Sequence, residues 1–205
     1  MAKKSPAVRA TLKAVERDAA VCRRCPLWKR ATQTVFGSGP AKASIMFVGE
    51  QPGDVEDREG EPFVGPAGRL LRESLAQAGI DESAIYLTNA VKHFKWREGG
   101  KRRIHERPNY EEIMACRLWL DAEISLVKPR VLVALGATAA SILVPKAKVT
   151  IDRGRVIPSP LAAVVTLTVH PSSILRAGDS TSRAEARRLF VKDLRAIARL
   201  ARDPR

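Results

Sequence analysis

The chain is short of acidic residues, of cysteine and of long apolar runs, and each shortage excludes something. Its 22 Asp and Glu face 36 Lys and Arg, which leaves a net charge of +14 and a pI near 10.3. Such an excess calls for an acidic partner, with nucleic acid first and an anionic membrane surface a distant second. The 3 cysteines are an odd count that fits no extracellular disulfide framework. The longest apolar run, residues 131–144, is interrupted by Gly136, Thr138 and Ser141 and is too short to cross a bilayer. The opening Met1-Ala2-Lys3-Lys4-Ser5-Pro6 is basic, but no apolar signal-peptide core follows it. The expectation is a soluble, cytoplasmic protein with no membrane partner. The glycines lack the spacing of a phosphate-cradling loop or a dinucleotide fingerprint. No repeat, low-complexity tract or linker divides the chain. One domain over residues 1–205 is therefore expected, and a hydrophobic share of 45% is ordinary for it.

What is present has a clear order. Four apolar runs, Ser44–Val48, Ala84–Asn89, Arg130–Leu135 and Ala163–Val169, predict buried strands. Amphipathic spacing predicts helices over 7–20, 67–79, 109–128 and 182–202, and a short one before Pro145. Asn109 is the expected N-cap of the third of these long helices, with Glu112 at the capping-box position. Residues 146–160 read as irregular or as a short hairpin. Strands alternating with helices predict an α/β fold, a mostly parallel sheet covered on both faces. Ligands of such sheets bind outside the carboxyl ends of the strands. That rule selects Glu50-Gln51, Asn89 and His170.

The same edge releases a long basic stretch over 92–107, which reads as a loop bent at Gly99-Gly100. It holds Lys92, Lys95, Arg97, Lys101, Arg102, Arg103 and Arg107, two of the three histidines (His93 and His105), and Phe94 and Trp96 between the charges. Histidines and interleaved aromatics favour nucleic acid over a merely solvated charge run. The acidic residues that cluster after the first strand, Asp54 to Glu61, are expected mostly to face solvent.

Each rim residue has two readings. Asn89 can read a base edge or cap its own turn. Phe63 can stack on a base or pack in the core. Glu50 can stabilise a cationic sugar or pair with an arginine. His170 can hydrogen-bond an anionic leaving group, and Ser172 and Ser173 can offer donors to phosphate. His105, among cations, should favour the neutral form that can act as a nucleophile, or it contacts phosphate or base. Cys22-Arg23-Arg24-Cys25 follows a helix rather than a strand, which favours metal ligation over redox chemistry. With Cys116 and the candidate His93 it makes a Cys₃His set, which suits zinc and also occurs in some iron–sulfur clusters. The alternative is that Cys116 is a buried helix residue.

Five motifs in order make a specific pattern: Gly49-Glu50-Gln51-Pro52-Gly53, Pro62-Phe63-Val64-Gly65-Pro66-Ala67-Gly68, Thr88-Asn89-Ala90-Val91-Lys92-His93, Lys101-Arg102-Arg103-Ile104-His105 and His170-Pro171-Ser172-Ser173. Over roughly residues 18–197 the chain resembles the uracil-DNA glycosylase superfamily. More narrowly it resembles the UdgX branch, related to the iron–sulfur family-four enzymes. The resemblance implies a three-layer α/β/α fold around a four-stranded parallel sheet, and a [4Fe–4S] cluster on Cys22, Cys25, His93 and Cys116. A histidine at the position of His93, where family-four relatives carry cysteine, is itself a UdgX mark. The implied partner is uracil-containing DNA, single strands preferred, with uracil flipped into the rim.

By the same resemblance Asn89 reads uracil, Phe63 stacks on it, His170 stabilises the departing anion, and Glu50 assists at the sugar with Gln51 beside it. Ser172 and Ser173 contact DNA, and Arg103 shapes the loop and contacts DNA. His105 attacks C1′ and stays bonded to the abasic DNA. Ile174, where leucine is expected, and a short stretch between His93 and Lys101 depart from the pattern. A turnover glycosylase and a non-catalytic metal-site DNA-binding module are the competing readings. A monomer is expected, since no large apolar helix face is left unexplained.

Overall fold

Continuous apolar runs that are covered on both faces become the strands of a parallel sheet. In the computed structural model, which describes residues 11–100 and 102–202, all four expected runs do so. The elements in chain order are α1 (Leu12–Ala20), β1 (Ile45–Gly49), α2 (Asp54–Glu59), α3 (Pro66–Ala78), β2 (Ile85–Asn89), β3 (Trp96–Gly99), β4 (Arg102–His105) and α4 (Tyr110–Val127). They are followed by β5 (Val131–Leu135), α5 (Gly136–Leu143), α6 (Val149–Asp152), β6 (Val156–Ile157), β7 (Val164–Thr168), α7 (Pro171–Leu175) and α8 (Ser180–Arg202). The start of the helix expected over 7–20, and Lys101, lie outside the described residues.

The sheet order is β2-β1-β5-β7-β6. The first four strands are parallel, as expected, and the two-residue β6 adds an antiparallel edge from the segment read as irregular or hairpin. Alternation within β1 sends Met46 and Val48 to one core and Ile45 and Phe47 to the other. The first core is closed by Ile113, Leu120 and Ile124 of α4 and by α5. The second is closed by Leu71 and Leu75 of α3 and by Phe190, Leu194 and Ile197 of α8. Each such side chain contributes about 1.5–3 kcal/mol on burial. The result is the three-layer α/β/α arrangement. No helix among the described residues is long and apolar enough to cross a membrane.

Register places the chemistry. Gly49 pairs with Asn89, so β1 and β2 end side by side and deliver Glu50 and Asn89 to one rim. Asn109 caps α4, and Glu112 returns a bond to the Asn109 backbone N–H at 2.7 Å.

Three expectations need correction. The basic stretch is a β-hairpin rather than a loop: β3 and β4 pair antiparallel, Trp96 opposite His105, and the turn is made at Gly100, whose φ of 63° is the left-handed region glycine allows. Basic residues on both faces conceal its strand alternation. Lys92 is not a surface cation. It is fully buried, and its Nζ donates to Glu123 Oε2 and Thr88 Oγ1, both at 2.5 Å, and to the Asn89 carbonyl at 2.8 Å. The acidic cluster does not simply face water: Glu56 and Asp57 are buried on α2. Glu56 accepts from the backbone N–H groups of Gly53 and Gly65, and Asp57 from Thr32 and Arg103. A helix whose inward residues are carboxylates has no apolar period to betray it.

Candidate active site

Glu50 follows β1, and three groups meet its carboxylate. His105 Nε2 lies 3.4 Å from Oε1. Thr138 Oγ1, on the first turn of α5, donates to Oε2. Arg107 Nε lies 3.9 Å away and donates to Thr138 Oγ1 at 3.2 Å. Thr138 and Arg107 were not selected from sequence as site residues. The strand-end rule pointed to Thr138, since it sits just past β5, but an unremarkable Gly-Ala-Thr hid it.

Beside Glu50 the pocket floor is tighter. A methyl group on Gly49 would lie 2.3 Å from Asn89 Oδ1 and 2.8 Å from the Phe63 ring, so the glycine is what lets amide and ring approach. Asn89 is 3% exposed. Its side-chain amide makes no hydrogen bond among the described residues, so it does not cap its own turn. Phe63 has a φ of 60°, a strained value for a bulky residue. The first turn of α3 wedges against it: a Cβ on Gly68 would meet the Phe63 carbonyl at 1.6 Å.

The Phe63 ring stacks against His170, with centroids 6.1 Å apart and planes 29° apart. His170 Nδ1 accepts from the Ser172 backbone N–H at 3.2 Å and lies 2.8 Å from Ser172 Oγ. Burial pushes its pKa down to about 4, with Arg176 and His105 adding to the effect. The ring is therefore neutral at pH 7, and an Nδ1 that accepts leaves the proton on Nε2. Ser173 Oγ donates back to the His170 carbonyl at 2.7 Å. Gly136, at φ 86°, passes so close that a Cβ there would lie 2.9 Å from His170 Cβ.

His105 ends β4 and is half exposed. Burial lowers its pKa; Glu50 opposes this and Arg176 reinforces it. What aims it is the anchoring of the hairpin. Gln51 Nε2 donates to the Lys95 and Glu106 carbonyls at 3.1 and 3.0 Å, and its Oε1 accepts from Lys95 N at 3.1 Å. The Gln51 side chain thus closes the hairpin base instead of pointing into the rim. Arg103 donates to Asp54, to Asp57 Oδ2 at 2.6 Å and to Thr32 Oγ1 at 3.2 Å. Phe94 and Trp96 lie against this guanidinium, at 5.4 and 5.5 Å, so the interleaved aromatics pack the hairpin. Trp96 Nε1 also donates to the Arg30 carbonyl at 3.0 Å.

Cys22 and Cys25 follow α1, and Cys116 lies on α4, which packs against α1. Cys25 and Cys116 are buried, and burial raises both thiols, Cys116 to about 12 against the pull of Lys92. Cys22 and Cys25 both act on Cys116 electrostatically, so the three share one neighbourhood. Lys92 N donates to Cys116 Sγ at 3.2 Å and Trp119 Nε1 to Cys22 Sγ at 3.3 Å. Cys22 and His93 line one cavity of about 220 Å³ with Arg23, Trp28, Thr32 and Thr34. His93 Nε2 lies 3.0 Å from Thr34 Oγ1, and burial lowers its pKa. Among the described residues no group of three or more His, Cys, Asp or Glu side chains is arranged to hold a metal ion. The soft donor set and its N–H···S bonds suit an iron–sulfur cluster, whose ligands sit on separate irons.

Comparison with known proteins bears on this arrangement. Residues 36–195 match the profile of the uracil DNA glycosylase superfamily. A type-4 uracil-DNA glycosylase of Thermotoga maritima is 41% identical over 175 residues, which cover 84% of this chain and 85% of the relative. The type-4 enzyme of Sulfurisphaera tokodaii is 32% identical over 204 residues, with coverages of 95% and 87%. That of Pyrobaculum aerophilum is 36% identical over 181 residues, with coverages of 84% and 86%.

Proposed function

The chain belongs to the uracil-DNA glycosylase superfamily, and we propose that it excises uracil from DNA and then bonds to the abasic sugar through His105. The observation that carries the second half is the 3.4 Å approach of His105 Nε2 to the Glu50 carboxylate at the rim that also holds Asn89 and His170.

A uracil flipped into the pocket stacks on Phe63, and the Asn89 side-chain amide, which has no hydrogen-bond partner among the described residues, takes its edge. The C1′–N1 bond breaks, and the electron pair leaves with N1. His170 Nε2–H donates to the resulting uracil anion, and Glu50 stabilises the positive charge on the sugar. The lone pair of neutral His105 Nε2 then forms the bond to C1′. The imidazolium so made loses its Nδ1 proton to solvent. Like any trapped covalent intermediate, the product holds one enzyme per uracil.

Cys22, Cys25, His93 and Cys116 would hold a [4Fe–4S] cluster, which would supply a structural tie between α1, the hairpin base and α4. Purified protein should then be brown, with visible absorbance bleached by dithionite; colourless protein carrying zinc would remove the cluster.

The test of function is a denaturing gel of the protein with single-stranded uracil and thymine oligonucleotides. A heat- and detergent-stable band with uracil alone is expected, and His105→Ala should abolish it while free uracil is still released. Alkali-labile abasic sites without the band would mean a turnover glycosylase. A band that survives the substitution would take His105 out of the mechanism.

A further inference from the structure

The elements that wall the site continue past it. α3 begins three residues after Phe63, and α7 begins directly after His170. Both pack against each other and against α8. An open groove of about 520 Å³ lies where the three meet. Its floor is apolar, with Leu70 and Ile174 buried and Pro66 and Leu175 exposed. Its sides are cationic, with Arg69 from α3 and Arg183 and Arg187 from α8.

Those cations are unequally satisfied. Arg187 donates to Glu73 at 2.9 Å, the one carboxylate lining the groove. Among the described residues the Arg183 guanidinium reaches only the Ala177 carbonyl, at 3.4 Å. The Arg69 guanidinium has no hydrogen-bond or ion-pair partner among the described residues. Neighbouring arginines on the same helices are paired: Arg72 with Glu82 and Arg188 with Glu185, both at 2.7 Å. Two guanidinium groups above an apolar floor offer what a nucleotide needs, charge for phosphate and a dry surface for sugar or base.

We propose that this groove is a second subsite for the DNA strand, which takes the nucleotides adjoining the uracil on one side only. Arg69 and Arg183 hold phosphate, and Pro66 and Leu175 lie under sugar and base. The distance fits. The five residues of α7, which runs from His170 to the groove, span only about 7 Å. The groove therefore adjoins the nucleotide held at His170. This assignment rests on the glycosylase reading for what occupies the pocket, but not for the binding of the strand itself.

The test uses the full chain, a minimal uracil oligonucleotide, and versions extended on the 5′ or the 3′ side alone. One extension should raise the second-order rate constant of uracil release in a single turnover and tighten binding by anisotropy, and the other should not. Arg69→Gln with Arg183→Gln should erase that one-sided gain and leave excision from the minimal substrate unchanged. The slope of log Kd against log salt for uracil-free single strands should shrink by about 1.4, the loss of two phosphate contacts at about 0.7 each. Arg69→Lys with Arg183→Lys should keep the slope, which guards against a folding artefact. A glutamine variant that keeps both the one-sided gain and the slope overturns the subsite. If the unaltered protein releases no uracil from any substrate, the glycosylase reading fails instead, and the salt slope alone decides the groove.

Discussion

His170 and His105 reach the same rim from regions built in opposite ways. His170 follows β7, a strand of the main sheet, and its ring is fixed between Phe63 and the Ser172 amide. Asn89, its partner in the pocket, ends β2 in the same sheet. That half of the site is an edge of the hydrophobic core. His105 ends β4 in a two-stranded sheet of its own, half exposed, and the hairpin is tied down by Arg103, Gln51 and Trp96 through polar contacts. A two-stranded hairpin has little stability by itself. The half proposed to recognise the base is thus rigid because the fold is rigid, whereas the proposed covalent step depends on an appendage. The two should come apart experimentally.

The largest effect should come from the rigid half. Asn89→Ala removes the side-chain amide left without a partner among the described residues, and uracil release should fall by about a hundredfold or more, the scale of one lost preorganised donor. The adduct should fall with it. An adduct formed at the normal rate by this variant would uncouple the steps in the wrong direction.

A smaller and more selective effect belongs to the hairpin. Arg103→Ala leaves Asp57 buried without its cation, a loss of about 3 kcal/mol or more on thermal or chemical unfolding. Adduct formation should drop at least tenfold while uracil release changes little. Equal loss of both activities would erase the contrast between the halves.

The mildest probe is pH. Both histidines have pKa values lowered by burial, His170 to about 4 from 6.5. The folded protein therefore binds fewer protons than the unfolded chain between those values. Their contribution to stability is full above about 6.5 and is lost as pH falls toward 4. Uracil release should hold from pH 7 to pH 5 and fail near pH 4. The adduct should hold at pH 6.5 and decline only in more acid solution; a midpoint above 6.5 would mean that the half-exposed His105 does not have the lowered pKa described.

Much of the rigid half was legible in sequence. Ile45–Gly49 and Val131–Leu135 are apolar throughout, and no other element suits such a run bounded by turn residues. Once the strands were placed, the strand-end rule gave Glu50, Asn89 and His170. The buried charges were not legible. Lys92, Glu56 and Asp57 look like surface residues, and nothing local marks them as buried. Thr138, although it sits just past β5, was hidden because nothing in Gly136-Ala137-Thr138 marks it and its partner Glu50 lies 88 positions away in the chain.

The sequence by itself determined the four parallel strands, the helices that cover them and the rim where they end. Hydrophobic periodicity is a local property, and the burial it dictates is nearly independent of what lies opposite. Tertiary structure decided which charges would be hidden, that the basic stretch would be a hairpin braced by Asp54 and Asp57, and that His105 would face Glu50. Those outcomes depend on pairing. Lys92 and Asp57 enter the interior because Glu123 and Arg103, from distant segments, meet them there, and no single segment of the chain carries both members of either pair.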